Sequence, residues 1–277
     1  MLGKMLENVR KKTPLVHNIT NYVTVNDCAN ILLACGASPI MADDLDDVKD
    51  ITKICTALNI NIGTIQRDLI PSMLAAGRIS NSLNHPVLLD PVGAGASRIR
   101  TETSLELIDS IRLTAIRGNI SEIKAIALGS GGARGVDADV ADSVTDETIP
   151  SVIEFAREYS IKTGAVTVIT GVVDLVVGKD KQFIIRNGHP MMSSVTGTGC
   201  MLSAMTAAYL GANPENVTEA CAAAVCAMGL CGELAYERLS EHDGNSSYRN
   251  MIIDEIYNLT PEKLEKGAKI TLYDRKE

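Results

Sequence analysis

The string "HPVLLDPVGAG" (85–95) is a short apolar run closed by an aspartate and released into a glycine-rich loop. A continuous apolar run of this length, bounded by turn residues, fits a strand buried on both faces. Two later strings repeat the plan, "TAIRGN" (114–119) and "AVTVITG" (165–171). Two earlier ones are further strand candidates: "ASPIMA" (37–42) is short and bounded by turn residues, and "LNINIGT" (58–64) alternates and ends in Gly-Thr. Between them lie amphipathic segments at 22–35, 44–58, 67–83, 101–112 and 148–163. Strand and helix alternate, which predicts an α/β fold with a mostly parallel central sheet and helices on both faces.

One stretch breaks the alternation. "VVDLVVGKDKQFIIRNG" (172–188) reads as two strands around the turn Gly178-Lys179-Asp180-Lys181, an antiparallel hairpin added to the sheet. Two long helical patterns follow, 197–210 and 218–239, rich in Ala, Met and Cys. No linker, internal repeat or low-complexity tract divides the chain, so a single domain over 1–277 is expected. "GSGGARG" (129–135) is its loosest stretch.

Composition narrows the function classes. The 277 residues are 45% hydrophobic and 22% charged, with a net charge of -8. That balance argues against a nucleic-acid surface but leaves room for a local phosphate site. No leader opens the chain and no run is read as reaching membrane-span length, so a cytoplasmic protein with no membrane partner is expected. The seven cysteines are then reduced thiols. Cys221, Cys226 and Cys231 are five residues apart on one helical pattern, about 140° per step. They point three ways and read as small buried residues rather than metal ligands. His17, His85, His189 and His242 show no paired metal spacing.

In open α/β sheets ligands bind beyond the carboxyl ends of the strands. Met41, Asp90, Arg117 and Thr170 all stand at such ends. The string "SSVTGTGCMLSAMTAAYLGA" (193–212) adds a glycine-threonine turn running into a helix, with Cys200 at the junction. A helix N-terminus offers unpaired N–H groups and partial positive charge, and glycines let an anion approach them. A transferring phosphoryl group needs such a cradle. The same environment is expected to lower the Cys200 pKa. The string equally fits a glycine-rich turn over a small buried cysteine. Asp90 fits a cation ligand or a turn cap. Glu122 fits water-mediated Mg²⁺ binding or a first-turn acid behind an Asn119 or Ser121 cap. Arg117 fits a phosphate. "GAGASR" (93–98) is only half a dinucleotide fingerprint, and there is no GxxxxGK[ST] loop.

Taken together, "PLVHNITNYVTVNDCANILLACGASPIMADD" (14–44), "LLDPVGAGASRIR" (88–100), "IRGNISEI" (116–123) and "VTGTGCMLSAM" (195–205) resemble the hydroxyethylthiazole kinase family of the ribokinase-like superfamily. The resemblance implies a ribokinase-like fold with no separate lid. It implies ATP-dependent phosphorylation of the hydroxyl of 5-(2-hydroxyethyl)-4-methylthiazole, a salvage step toward thiamine. By residue, it implies Met41, Gly197 and Asn21 at the thiazole, and Arg117 and Thr170 at ATP. It implies an anion hole of Gly197, Thr198, Gly199 and Cys200, and Asp90 and Glu122 around Mg²⁺. Cys200 takes the catalytic position where many ribokinase-like kinases carry Asp. It also implies a homotrimer with sites between subunits. Rival readings are a sister kinase of hydroxymethylpyrimidine, a thiol hydrolase with Cys200 as nucleophile, and a nucleotide-binding regulator.

Overall fold

The computed structural model describes residues 1–129 and 143–274. Its strands are β1 (Leu15–Ile19), β2 (Ser38–Met41), β3 (Ala57–Asn61), β4 (Val87–Asp90), β5 (Ala115–Gly118), β6 (Val166–Ile169), β7 (Asp174–Val177), β8 (Gln182–Ile185) and β9 (Ile270–Leu272). They form one sheet in the order β2-β1-β3-β4-β5-β6-β7-β8-β9. Every pairing from β2 to β6 is parallel. The pairings β6–β7, β7–β8 and β8–β9 are antiparallel. The hairpin is therefore present, around the expected turn.

The helices are α1 (Leu2–Lys12), α2 (Val25–Cys35), α3 (Asp47–Ile54), α4 (Ile70–Ser82), α5 (Arg98–Ser110), α6 (Ile120–Leu128), α7 (Ile149–Thr163), α8 (Thr198–Ala212), α9 (Val217–Glu237), α10 (Asn245–Asn258) and α11 (Pro261–Gly267). Successive strand residues point to opposite faces, and two apolar clusters result. Leu88 joins Leu6, Ile31, Met205, Val225 and Ile252, from α1, α2, α8, α9 and α10. Val87 and Leu89 join Val48, Met73, Leu107, Ile123 and Val152, from α3 to α7.

Several elements escape the sequence reading. In α1, Leu2, Met5, Leu6 and Val9 are buried at helical spacing beneath a polar exterior. In β1 the buried His17 and Asn18 disguise a strand. Each is satisfied internally: His17 Nε2 lies 2.8 Å from the Ala42 carbonyl, and Asn18 Nδ2 donates to the Val16 carbonyl at 2.9 Å. The reading that no run reaches membrane-span length needs correcting. α9 is long and apolar enough to cross a bilayer, but 78% of its apolar window is buried within the molecule. Cys221, Cys226 and Cys231 are all fully buried because α9 is enclosed on every side. The loose stretch 129–135 falls, beyond Gly129, outside the described residues.

Candidate active site

The parallel strands deliver their last residues to one edge of the sheet. In sheet order these are Met41 from β2, Asn21 just past β1, Asn61 from β3, Asp90 from β4, Arg117 from β5 and Thr170 just past β6. The first turn of α8 meets this row. Gly197, ahead of it, has φ +92, and an added Cβ there would lie 2.4 Å from the Thr24 side chain. Only glycine takes that backbone and that contact without strain. The first helical bond runs from the Met201 amide to the Gly197 carbonyl at 2.8 Å. Among the described residues no backbone acceptor takes the amides of Thr198, Gly199 and Cys200. They form an open cradle of N–H groups.

Cys200 Sγ is held by two asparagines. Asn21 Nδ2 donates to it at 3.2 Å and Asn61 Nδ2 at 3.3 Å. Asn21 Nδ2 also donates to Asn61 Oδ1 at 3.0 Å, and Asn61 Nδ2 to Asp90 Oδ2 at 2.9 Å. Each amide nitrogen has two hydrogens, so both are fully used. Thr24 orients the set, its Oγ1 donating to Asn21 Oδ1 at 3.0 Å. The sulfur is thus an acceptor, aimed by neutral donors. Its pKa is raised, first by burial and then by the Asp90 carboxylate. The expected lowering is overturned: removal from water and a nearby anion outweigh the helix terminus.

Asp90 is fully buried. Its Oδ2 accepts from Ser203 Oγ at 2.7 Å and lies 3.6 Å from Arg117 Nη1. Burial pushes its carboxyl up to about 6, against the opposing pull of Arg117, Ser203 and Asn61. Arg117 Nη2 donates to Thr170 Oγ1 at 2.6 Å. The guanidinium packs against the α8 cradle: a Cβ on Gly199 would sit 2.6 Å from Nη1. Among the described residues, two buried atoms here have no partner, Asp90 Oδ1 and Arg117 Nε. Buried groups without partners are costly and mark places where a ligand can complete the bonding.

Glu122 has a structural task. Its Oε1 accepts from the Gly93 amide and its Oε2 from the Asn119 amide, both at 2.8 Å, while Asn119 Oδ1 caps the Glu122 amide. This capping box pins the loop after β4 to α6. Among the described residues no three His, Cys, Asp or Glu side chains are grouped to hold a metal ion. The donor set still fits Mg²⁺ bound together with phosphates, which takes only one or two carboxylates and several waters. The orphaned Asp90 Oδ1 is an acceptor of the required kind.

A cavity of about 590 Å³ opens from Arg117, Thr170, Thr198 and Gly199 toward Asn187–Ser193 and the α9 residues Val225, Met228 and Gly229. Met41 is not part of the cysteine network. It ends the edge strand β2, half-buried, at the opposite end of the row from Thr170.

Comparison with known proteins then decides the family. The family model described as the hydroxyethylthiazole kinase family matches residues 6–262. The chain belongs to the hydroxyethylthiazole kinase family. A hydroxyethylthiazole kinase of Clostridium acetobutylicum is 62% identical over 99% of this chain and 100% of its own length. One of Ruminiclostridium cellulolyticum is 45% identical over 97% of this chain and 96% of its own. The solved structure of a hydroxyethylthiazole kinase from Pyrococcus horikoshii aligns with TM-score 0.86 and 33% identity over 99% of both chains. A ribokinase-like superfamily protein from Enterococcus faecalis, at 12% identity and TM-score 0.63, shares the fold. As a hydroxyethylthiazole kinase family member, the chain is a phosphotransferase of thiamine salvage that uses ATP to phosphorylate the hydroxyl of hydroxyethylthiazole.

Within that family assignment, the structure brings Asn21, Asp90, Arg117, Thr170, Gly197, Thr198, Gly199 and Cys200 together. The sequence reading missed Asn61, Thr24 and Ser203 of this network, and Asp174, which lines the cavity. Asn61 left one trace, a polar residue closing the buried strand in "LNINIGT".

Proposed function

We propose that the first turn of α8 carries the transfer of the γ-phosphoryl group of ATP to the hydroxyl of hydroxyethylthiazole. The observation that supports this most is the coincidence of three amides without a backbone acceptor among the described residues, the Arg117 guanidinium and an oriented sulfur within one helical turn. The triphosphate lies in the cavity with Arg117 and Thr170 on its oxygens. The amides of Thr198, Gly199 and Cys200 face the phosphoryl group as charge develops on it. Cys200 Sγ, fixed by Asn21 and Asn61, holds the substrate hydroxyl in line on the other side. In a loose transition state the hydroxyl proton leaves late. Positioning is therefore the main role of the thiol, and its thiolate fraction takes the proton. Asp90, with Glu122 acting through water, would hold Mg²⁺ against the phosphates. When bound, the ion neutralises charge on the phosphate oxygens. Asp90 also keeps Arg117, Asn61 and Ser203 in register.

The thiazole site is shared in a homotrimer, with Met41 and Gly197 on the ring. Support comes from Met41 on the edge strand and from the exposed apolar Tyr22, Val23, Val25 and Leu33 on and before α2. A neighbouring subunit would cover them and exclude water from the transfer. The enzyme is read as one cytoplasmic domain.

The test is ATP consumption with and without hydroxyethylthiazole. Cys200→Ala should lower turnover at least ten-fold with ATP affinity retained, because the amides remain. Cys200→Asp should restore much of it, since a carboxylate accepts the two asparagine N–H groups and the proton. Wild-type turnover in Cys200→Ala would reduce the residue to packing. Run across serial dilution and paired with sedimentation, the same assay tests assembly: a fully active monomer would overturn the shared site.

A further inference from the structure

Asp174 is a carboxylate in the cavity that the transfer chemistry leaves without a task. Because β7 runs antiparallel to β6, its first residue lies at the same sheet edge as the last residues of β1–β6. Asp174 therefore joins the row of site residues one strand beyond Thr170, and it lines the cavity. Its Oδ1 accepts the Gly171 amide at 2.9 Å, which fixes the carboxylate. Among the described residues its Oδ2 takes no hydrogen bond. Burial pushes its carboxyl up to about 7, with the Gly171 amide and Arg117 opposing.

The cavity has a gradient along the sheet. At β5 and β6 it is cationic and rich in donors, with Arg117, Thr170 and the α8 amides. Beyond β8 and under α9 it is more apolar, with Pro190, Met192, Val225 and Met228 beside Asn187, His189 and Ser193, and Val172 stands 93% exposed beside its mouth. Asp174 lies between the two ends, two strands and on the order of 10 Å from β5. In its ionised form it is repelled by a triphosphate, which disfavours phosphate oxygens as its partners. The faces of an adenine ring suit the apolar end of the cleft, and its exocyclic amino group, the one donor a carboxylate could take, goes there with the ring. The part of a nucleotide between phosphates and base is its sugar, whose hydroxyls are neutral donors matched to a carboxylate oxygen.

We propose that Asp174 accepts hydrogen bonds from the ribose hydroxyls of the bound nucleotide and so selects ribonucleotides over their deoxy analogues. This rests on the reading of the cavity as the ATP site. The test measures binding of ATP, 2′-deoxyATP and 3′-deoxyATP, each with Mg²⁺, to the wild type, Asp174→Asn and Asp174→Ala. Asparagine keeps an oxygen for the Gly171 amide and loses the acceptor for the sugar, and alanine loses both. The wild type should bind ATP about ten-fold or more tightly than at least one deoxy analogue, as expected for a charge-assisted hydrogen bond. In both variants that ratio should fall toward one. A purely structural role at the Gly171 turn would weaken all three nucleotides together and leave the ratio unchanged. An unchanged ratio in Asp174→Asn overturns the proposal. So does equal binding of the three nucleotides by the wild type, a result that needs no variant. Failure of the wild type to bind ATP at all would instead overturn the nucleotide site beneath it.

Discussion

Helices α8 and α9 are made of the same few residue types, Ala, Met, Cys and Gly, and lie in the same apolar cluster. Their use of those residues differs. The first turn of α8 opens on the cavity through Thr198 and Gly199, and its cysteine meets the asparagines at the strand ends. α9 is enclosed, and its glycines admit neighbouring chain. A Cβ on Gly199 would press on the end of a side chain, the Arg117 guanidinium; a Cβ on Gly229 would lie 2.7 Å from the backbone of Asn187. Cys200 receives two N–H groups, whereas burial pushes Cys221 and Cys226 up to about 12 with no charge partner to offset it. The same residue type is thus held by two polar donors at one helix end and packed as filler along the next helix.

The largest effect should come from Gly199→Ala. The new methyl displaces Arg117 from the cradle, removing a charge-assisted contact worth about 1.5–3 kcal/mol and distorting the amides beside it. Turnover should fall on the order of 100-fold with the melting temperature nearly kept. Near-normal turnover would break the contrast between the helices. Gly229→Ala should do the reverse. Its methyl meets backbone that cannot move cheaply, so we expect a loss of about 1–3 kcal/mol in stability. The higher helix propensity of Ala offsets at most about 1 kcal/mol. Denaturant unfolding reads this directly, and an unchanged midpoint would show that the 187–193 loop yields.

A smaller effect concerns pH. The Cys200 pKa is raised in the folded enzyme, so the neutral thiol is favoured. The thiolate forms only as pH climbs above the ordinary thiol range. Turnover should therefore rise severalfold between pH 7 and 9 without levelling off. Cys200→Asp, ionised throughout, should lose that limb. The linked stability runs the opposite way: a raised thiol pKa favours folding below the unfolded value and loses that benefit as pH rises through the folded one. A wild-type plateau below pH 8 would sink the assignment of the limb to Cys200.

Much of the site was legible because strand ends announce themselves. Asp90, Arg117 and Thr170 each follow an apolar run, and Gly197–Cys200 precedes a helical pattern. What escaped shares one cause, polarity inside the fold. His17 and Asn18 sit in a strand whose hydrogen bonds close at a distance in sequence. Ser203 lies within an apolar helix, and nothing local marks it as the partner of Asp90, 113 residues away. Asp174 opens a hairpin strand, and its arrival at the site depends on that strand running against its neighbour. The direction of the Cys200 shift was missed because burial and a remote carboxylate are properties of the assembled site, while the helix terminus is visible in the string.

The enclosure of α9 also constrains how the chain is made. Its cover comes from α1 and α8, synthesised before it, and from α10 and α11, synthesised after it. Until those last helices leave the ribosome, an apolar segment of bilayer-spanning length has one flank uncovered. During that interval the nascent chain presents the kind of apolar surface that chaperones bind, and the arrival of residues 245–267 is what covers it.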